Sequence, residues 1–174
     1  MTEQTEETNA SEPNEPNELS EDTQSTEPAD TTFTIQQFPE KIAVVRLPPG
    51  ADIPDWAESS SIFSITATAT ETALVCAGRN VPVKVVAARG LIGFSLTQTL
   101  APTLVGVVVA LLTPLADEEI AVFTFTTYDT TWVLVPVADS ERAAEAWRRQ
   151  GHTVDLAVPV KPESSHKPDR PRKK

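Results

Sequence analysis

Charge is segregated along this chain of 174 residues, and the segregation limits which part of it can fold. The first 32 residues hold ten acidic side chains, neither lysine nor arginine, and almost no large apolar side chain. Such a segment cannot bury enough surface to offset the entropy of ordering it. The last fourteen residues, 161–174, are basic and contain three prolines. We therefore predict that 1–32 is a disordered acidic tail, that 161–174 is a disordered basic tail, and that 33–160 is folded.

The predicted folded segment, 33–160, is mildly acidic, with a net charge of −5 at neutral pH. Nucleic acids are bound by lysine and arginine side chains that release counterions from the phosphates, and this segment has a deficit of both. The longest apolar stretch, 104–112, is too short for the roughly 20 residues that span a hydrocarbon core. The chain opens with neither a basic nor an apolar segment of the secretory type. We therefore expect no nucleic-acid partner, no membrane partner and a cytoplasmic location.

Side chains that could catalyse a reaction or hold a metal are scarce. Cys76 is the only cysteine and the sequence contains two histidines. An internal disulfide therefore cannot form, and the spacing typical of zinc ligands is missing. We predict that Cys76 is a small buried residue on a strand. There is no glycine-rich phosphate loop and no Ser/His/Asp or Cys/His set, and the acidic run 117–119 is typical of a solvated surface. We expect no metal, no cofactor and no enzymatic activity.

The first half of the folded segment is rich in β-branched and apolar runs that turn residues separate. The first of these runs stops at Pro48-Pro49-Gly50, and the next segment, 53–57, suits a single helical turn that Trp56 anchors. Two of the runs flank a short polar stretch, 68–71, which predicts a hairpin. The predicted strands are 42–47, 61–67, 72–77, 81–86 and 90–96.

The stretch 104–112 cannot be assigned from its own pattern, because it is apolar on every face and rich in β-branched valine. A second hairpin is clearer: Phe123 and Phe125 share one face of a strand over 120–127, and 132–137 returns as its partner. The turn between them, Tyr128-Asp129-Thr130, forms a polar tip.

The segment 141–150 is the clearest helix in the sequence. Asp139 and Ser140 are typical N-cap residues, acidic side chains come early and basic ones late, and Gly151 follows the end. Trp147 shares a face with small alanines, which predicts a helix lying close on a sheet with the indole in the core.

The residues after this helix predict a cap and an edge strand. We interpret His152 as a cap residue with no titrating role. Apolar residues alternate over 154–160, which predicts a last strand, and Pro159 marks it as an edge strand.

The order of these elements, and the residues 122–135 in particular, resemble the ACT-domain proteins of the CASTOR type. In that family a hairpin of this form precedes a helix ending in Gly-His, and Gly151-His152 stands in the matching place. Upstream blocks are similar to the family's first-module hairpin and to the strand that opens its second module. Gly106 and 114–116 match the first helix of that module, so the resemblance implies that 104–119 is helical. The upstream blocks are 63–66, 70–71, 74–76 and 90–97.

The resemblance covers essentially residues 35–157 and implies an α+β fold. It implies two ACT-like modules of the ferredoxin-like βαββαβ type, the first abbreviated, over 33–89 and 90–160. Their antiparallel sheets would carry helices on one face. The implied function is regulatory: such modules bind amino acids or similar small molecules where two modules meet. The candidate ligand-binding residues are Ser95, Leu96, Gly106, Thr126, Thr127, Asp129, Thr130 and Thr131.

A zwitterionic ligand needs donors for its carboxylate and an acceptor for its ammonium group. The turn from strand to helix over 95–106 offers backbone N–H groups at a helix N-terminus, and Asp129 is the charged acceptor at the hairpin tip. Thr131 stands where relatives commonly carry aspartate, and 98–103 resembles an insertion in the loop that would contact the ligand. Both departures weaken the expectation of binding.

Alternative interpretations of these residues stay open. Asp129 is equally a turn residue that bonds its own backbone, and Gly106 is equally a contact between helix and sheet. For the whole chain, the alternative is a module that has lost ligand binding. Such a module would assemble with itself or with another protein through its sheet edges or its charged tails.

Overall fold

The computed structural model describes residues 32–58, 60–100 and 103–157. The two predicted tails therefore lie outside the described residues, apart from Thr32. The strands are β1 (Thr34–Leu47), β2 (Ser64–Ala67), β3 (Thr72–Ala77), β4 (Ala87–Leu96), β5 (Phe123–Thr126), β6 (Thr131–Pro136) and β7 (Thr153–Leu156). The α-helices are α1 (Val107–Asp117) and α2 (Ser140–Arg149), and short 3₁₀ turns cover Asp55–Ala57, Gly78–Asn80 and Val137–Asp139.

All seven strands join one sheet, in which β1 is the element shared by the two halves of the chain. The strand order is β2-β3-β1-β4-β6-β5, and β7 also pairs with β1. The second half of β1 lies antiparallel to β3, with Ile42 opposite Ala77, whereas its first half lies parallel to β7, with Ile35 opposite Val154. On its other side β1 pairs with β4 along most of its length.

The order β4-α1-β5-β6-α2-β7 is a βαββαβ unit, and the predicted α+β, ferredoxin-like class is confirmed. The first half is the abbreviated one, since its described residues contain strands and 3₁₀ turns but no α-helix. The first half of β1 lies between β4 and β7, where it completes the sheet of the second half.

Both helices cover one face of the sheet, and the largest core lies beneath them. Phe94 of β4 meets Trp147 of α2 edge-on, with ring centroids 4.8 Å apart, and Trp147 is fully buried, as predicted. The Trp147 indole N–H donates to the carbonyl of Leu111 at 2.8 Å, which ties α2 to α1. The long aromatic side chains thus fill the space between helices and sheet.

Two smaller cores lie away from the helices. One, around Ile42, Leu91 and Leu134, occupies the opposite face of the sheet. The other belongs to the first half and includes Cys76, which is fully buried on β3 as predicted. Burial raises the pKa of the Cys76 thiol, and the positive charge of Arg89 opposes that rise.

The helix implied over 104–119 is confirmed as α1, and it contains Pro114. Proline has no N–H, so the carbonyl of Ala110, four residues earlier, has no helical donor. The ring of His152 lies beside that backbone position, and its Nδ1 accepts the N–H of Phe33 at 3.3 Å. Burial lowers the pKa of His152. His152 is thus more than a cap residue, because its ring joins α1 to the residue that precedes β1.

Both helices end in the same motif, in which the last turn is closed by two backbone bonds. At the end of α2, Gly151 has a φ of +84° and His152 N–H donates to the Trp147 carbonyl at 3.1 Å. At the end of α1 the left-handed position is held by Glu119, with a φ of 56°. Glycine adopts this conformation without strain and glutamate does not. At the start of α2, Asp139 makes no capping bond and instead pairs with Arg142 at 2.8 Å.

The strand predicted over 81–86 is wrong, and the strand predicted over 42–47 is too short. Residues 81–86 form a loop rather than a strand, and Val83 is 96% exposed. β1 begins at Thr34, eight residues before the predicted start. The polar residues around Pro39 interrupt the alternating pattern that indicates a strand. Hydrogen bonding to β4 and β7 is what keeps this part of β1 extended. The predicted strand over 154–160 is β7 as far as Leu156, and Pro159 lies outside the described residues.

Candidate functional site

The end of β4 and the hairpin tip bring several candidate residues together. Thr130 Oγ donates to the carbonyl of Leu96 at 3.0 Å, and Ser95 lies opposite Trp132 in the ladder between β4 and β6. The loop after β4 joins the tip as well, because the N–H of Leu100 donates to the Asp129 carbonyl at 3.1 Å. Three segments therefore meet here: the end of β4, the loop before α1 and the tip.

The tip is closed by Thr127, not by Asp129. Thr127 N–H donates to the Thr130 carbonyl at 2.8 Å, and Thr127 Oγ accepts the N–H of Thr130 at 3.3 Å. The interpretation of Asp129 as a residue that bonds its own backbone is therefore wrong. Within the described part of the chain the exposed Asp129 carboxylate has no hydrogen-bond or ion-pair partner. It is available to a ligand.

Ser95 and Thr131 are buried, with 7% and 6% of their surfaces exposed. The Ser95 hydroxyl donates to the neighbouring Leu96 carbonyl. Thr131 and Trp147 line a gap between the sheet and the helices that is too narrow for a water molecule. Thr126 is exposed opposite Thr131 in the ladder between β5 and β6. Ser95 and Thr131 therefore shape the interior of this end of the fold, whereas Thr126 stands outside it.

Gly106 is the residue before the first turn of α1, with a φ of +84°. A Cβ added there would meet no heavy atom within 4 Å, so the contact between helix and sheet considered for Gly106 is wrong. Its backbone conformation is what favours glycine. No side chain caps α1, and the first N–H groups of a helix have no acceptor within it. Among the described residues no acceptor is found for these N–H groups, which begin at Val107 and lie at the positive end of the helix dipole.

The tip lies far from the core of the first half. Ala87, at the other end of β4, pairs with Val45 beside the small core around Cys76, whereas Leu96 pairs with Ile35. Nine residue steps of β-strand separate these ends, or roughly 30 Å. Within one chain, the tip is therefore remote from the core around Cys76, although Phe38 of the first half contacts Trp132 of β6, with ring centroids 4.6 Å apart.

A second candidate place was missed from the sequence, at a break in the ladder between β1 and β4. Gln37 pairs with Phe94 but Lys41 pairs with Ile92, so the intervening residues of β1 bulge outward. A surface pocket of about 580 Å³ lies at this bulge, lined by 39–41, 78–79 and 89–90. The only signal in the sequence is that charged residues and glycines recur in three segments, and nothing local brings those segments together.

A third surface is apolar. The outward face of α1 and the residues before it expose Val105, Val108 and Val109, at 90%, 42% and 66%. A helix that packs on a sheet with one face ordinarily carries polar residues on the other. Acidic residues appear only at its end, where Glu118 pairs with Arg142 and Arg149 of α2.

The described residues include no group of three or more histidine, cysteine, aspartate or glutamate side chains that could hold a metal ion. Among the same residues, no helix combines the length and the apolar character needed to cross a membrane.

Family models match two segments of the chain. The family model of the ACT domain matches residues 84–149, and a model of an N-terminal domain matches 40–84. No curated protein matches the chain. The Agrobacterium tumefaciens protein Atu0741 is 26% identical, with a TM-score of 0.69 over 74% of this chain and 96% of that one.

Two aspartokinase structures share the fold at lower identity. The aspartokinase alpha and beta subunits are 13% identical, with a TM-score of 0.51 over 70% of this chain and 99% of that chain. The Clostridium acetobutylicum aspartate kinase is 12% identical, with a TM-score of 0.54 over 74% of this chain and 36% of that one. The family match over 84–149 and the shared βαββαβ fold together support an ACT-domain protein.

Proposed function

We propose that this chain is a non-catalytic regulatory module that binds an amino acid or a similar small metabolite between the hairpin tip and the N-terminus of α1. The observation that carries the proposal is the unpartnered carboxylate of Asp129 in a tip that is hydrogen-bonded to the loop leading into α1. The resemblance to the CASTOR type of ACT protein, which senses amino acids, supports the same ligand class.

The N-terminus of α1 and the hairpin tip offer the donors and the acceptor that a zwitterion needs. The open N–H groups at the start of α1 can donate to a carboxylate, which the helix dipole also favours. Asp129 can accept a charge-assisted hydrogen bond from an ammonium group. The hydroxyls of Thr126, Thr127 and Thr130 lie on the same hairpin and can bond to ligand polar groups. Ser95, Leu96 and Thr131 support this end of the fold from within.

A junction between two modules at this place requires a second copy of the chain. The core of the first half lies roughly 30 Å away along β4, so it cannot close over the tip. We therefore propose that the ligand lies where the tips of two copies approach one another. Ligand binding and dimer formation would then strengthen one another.

A calorimetric and thermal-shift panel of the twenty amino acids tests the proposal. A ligand that binds only the folded state should raise the unfolding temperature as its concentration increases. At a hundredfold excess over Kd, it should raise the unfolding free energy by about 2.7 kcal/mol. Asp129→Asn keeps the shape of the side chain but removes its charge, and should weaken binding about tenfold or more. Asp155→Asn, an exposed aspartate on β7, is the matched control and should leave binding unchanged.

A panel in which no amino acid binds at millimolar concentration would contradict the proposal. So would binding that Asp129→Asn and Asp155→Asn weaken equally, because the ligand would then respond to net charge rather than to the tip.

A second candidate function, assembly without a ligand, is favoured by the exposed valines of α1. We propose that Val105, Val108 and Val109 bury themselves against the same face of a second copy. Val109→Glu places a charge in the first turn, where the helix dipole tolerates it, and should convert a dimer into a monomer in sedimentation experiments. Val83→Glu, at a 96% exposed loop position, is the control. A wild-type chain that is monomeric at high concentration would refute this candidate.

A further inference from the structure

More than half of the basic side chains on the described residues are paired with carboxylates. These residues include eight lysines and arginines against thirteen acidic residues. Five of the eight basic side chains form ion pairs, namely Arg46, Arg79, Arg142, Arg148 and Arg149. Within the described part of the chain, Lys41, Lys84 and Arg89 have no carboxylate within ion-pair distance.

Two of these three side chains, Lys41 and Arg89, line the same place, the pocket at the bulge of β1. Its volume of about 580 Å³ falls within the range of small-molecule sites, roughly 300–1,000 Å³. Glycines form part of its wall: a Cβ on Gly78 would lie 3.2 Å from the Lys41 carbonyl, and a Cβ on Gly90 would meet nothing. Two of the three basic side chains that have no ion-pair partner among the described residues therefore lie at one surface pocket.

Arg89 is held in place by neutral acceptors. Its guanidinium donates to the carbonyls of Val81, Pro82 and Val85 at 2.9, 2.7 and 3.2 Å. These bonds fix the loop 81–85 and the guanidinium together, but they leave its positive charge uncancelled. A guanidinium held in this way is preorganised, so that less freedom is lost when an anion binds.

Glu40, the one carboxylate in the pocket, does not cancel the charge of Lys41 and Arg89. Its side chain is engaged by Arg79 and by the hydroxyls of Ser60 and Ser61. The pair of Glu40 and Arg79 is therefore neutral as a unit, and it fixes the wall of the pocket. Lys41 and Arg89 remain as a net charge of +2 in a described part of the chain whose net charge is −5.

We infer that this pocket binds a small organic anion, whose carboxylate or phosphate oxygens accept from the Lys41 ammonium and the Arg89 guanidinium. The site is distinct from the amino-acid site proposed at the hairpin tip, because Gly90 and Leu96 are six residue steps apart on β4, or roughly 20 Å. A regulatory module with both sites would respond to two metabolites.

Titration of the nitrogen-15-labelled full chain at low salt tests the inference. Pyrophosphate and citrate are the two probes, because they carry phosphate and carboxylate oxygens respectively and so distinguish the two anion classes. Saturable shifts of the Gly78 and Gly90 amide signals with at least one probe are expected, and they should weaken as NaCl is added. Asp129→Asn should leave these shifts unchanged, which separates this site from the one at the tip.

Lys41→Gln is the decisive variant, because the Lys41 side chain makes no hydrogen bond or ion pair with any other described residue, so its loss should not disturb the fold. It should raise the Kd of the bound probe about fivefold, equivalent to roughly 1 kcal/mol. Lys84→Gln removes the same charge from the neighbouring loop, outside the pocket lining, and should change Kd less than about twofold. Arg89→Lys keeps the charge but loses the planar fork, and should also weaken binding.

Two results would overturn the inference. One is the absence of any shift at Gly78 and Gly90 with either probe at about 10 mM, a concentration at which even weak metabolite sites fill. The other is an equal loss of affinity in Lys41→Gln and Lys84→Gln, since this would reveal general attraction to the basic side chains rather than a site.

Discussion

The proline in α1 predicts an energetic coupling between two residues that are 38 positions apart in the sequence. Pro114 cannot donate to the Ala110 carbonyl, and we expect the ring of His152, which lies beside that carbonyl, to replace the missing donor while it accepts from the Phe33 N–H. His152→Leu would then leave the buried Phe33 N–H and the carbonyl of the half-buried Ala110 without a partner. An unsatisfied buried group costs about 1–3 kcal/mol, so we expect the variant to lose roughly 2–4 kcal/mol of unfolding free energy.

Pro114→Ala restores an N–H at position 114 and so gives the Ala110 carbonyl its helical donor. In that background His152→Leu should leave only the Phe33 N–H unpaired, and its cost should fall by about 1 kcal/mol. The four proteins of this double-mutant cycle are compared by urea unfolding, followed by the fluorescence of the three tryptophans.

The reasoning would be refuted if the two substitutions proved additive within about 0.5 kcal/mol. His152→Leu would then cost the same in both backgrounds, and the Ala110 carbonyl would not depend on the His152 ring. A matched control is Thr113→Ala, which changes the exposed neighbour of Pro114 and should be additive with His152→Leu.

Three further predictions follow from the same contacts. Burial lowers the pKa of His152 in the folded protein, so the His152 ring of the unfolded chain is protonated first as the pH falls. The unfolding free energy should therefore decline as the pH drops through about 6.5. His152→Leu should remove that part of the decline, which a pH series of urea titrations would measure. Glu119→Gly relieves a left-handed glutamate and should raise the unfolding free energy by about 0.5–1 kcal/mol, measured by denaturant midpoint; an unchanged midpoint would count against it. Gly151→Ala imposes the same conformation on a side chain and should lower the unfolding free energy by about 1 kcal/mol, which thermal unfolding would detect.

Several elements could be predicted from local residues because local residues produce them. α2 has its charge gradient, its apolar face and Gly151 within a dozen positions, and the hairpin of β5 and β6 has alternating phenylalanines on one side of a polar turn. α1 could not be predicted in this way, since valine-rich stretches suit a strand as well as a helix; only the family resemblance favoured the helix. Its burial of Leu111 and Leu115 against the sheet is what stabilises it.

Some features of the candidate site could also be predicted from the sequence, whereas others depend on tertiary structure. The residues at the tip were predicted because the hairpin and the end of β4 resemble blocks of a known family, and the structure does bring Leu96 and Thr130 into contact. The burial of Thr131, the open carboxylate of Asp129 and the roughly 30 Å between the tip and the first half depend on how strands pair, which no short segment contains.

The sequence by itself determined the elements whose periodicity or turns are local, and the family resemblance implied the α+β class. Tertiary structure decided the rest: the first half of β1, the loop over 81–86 and the pocket beside Lys41 exist because strands distant in sequence pair around a bulge. Tertiary structure also places the ring of His152 beside the Ala110 carbonyl, which has no helical donor because residue 114 is a proline. Hydrogen bonds and buried charges are satisfied by whichever groups the fold brings near, and a sequence pattern records only the neighbours within a few residues.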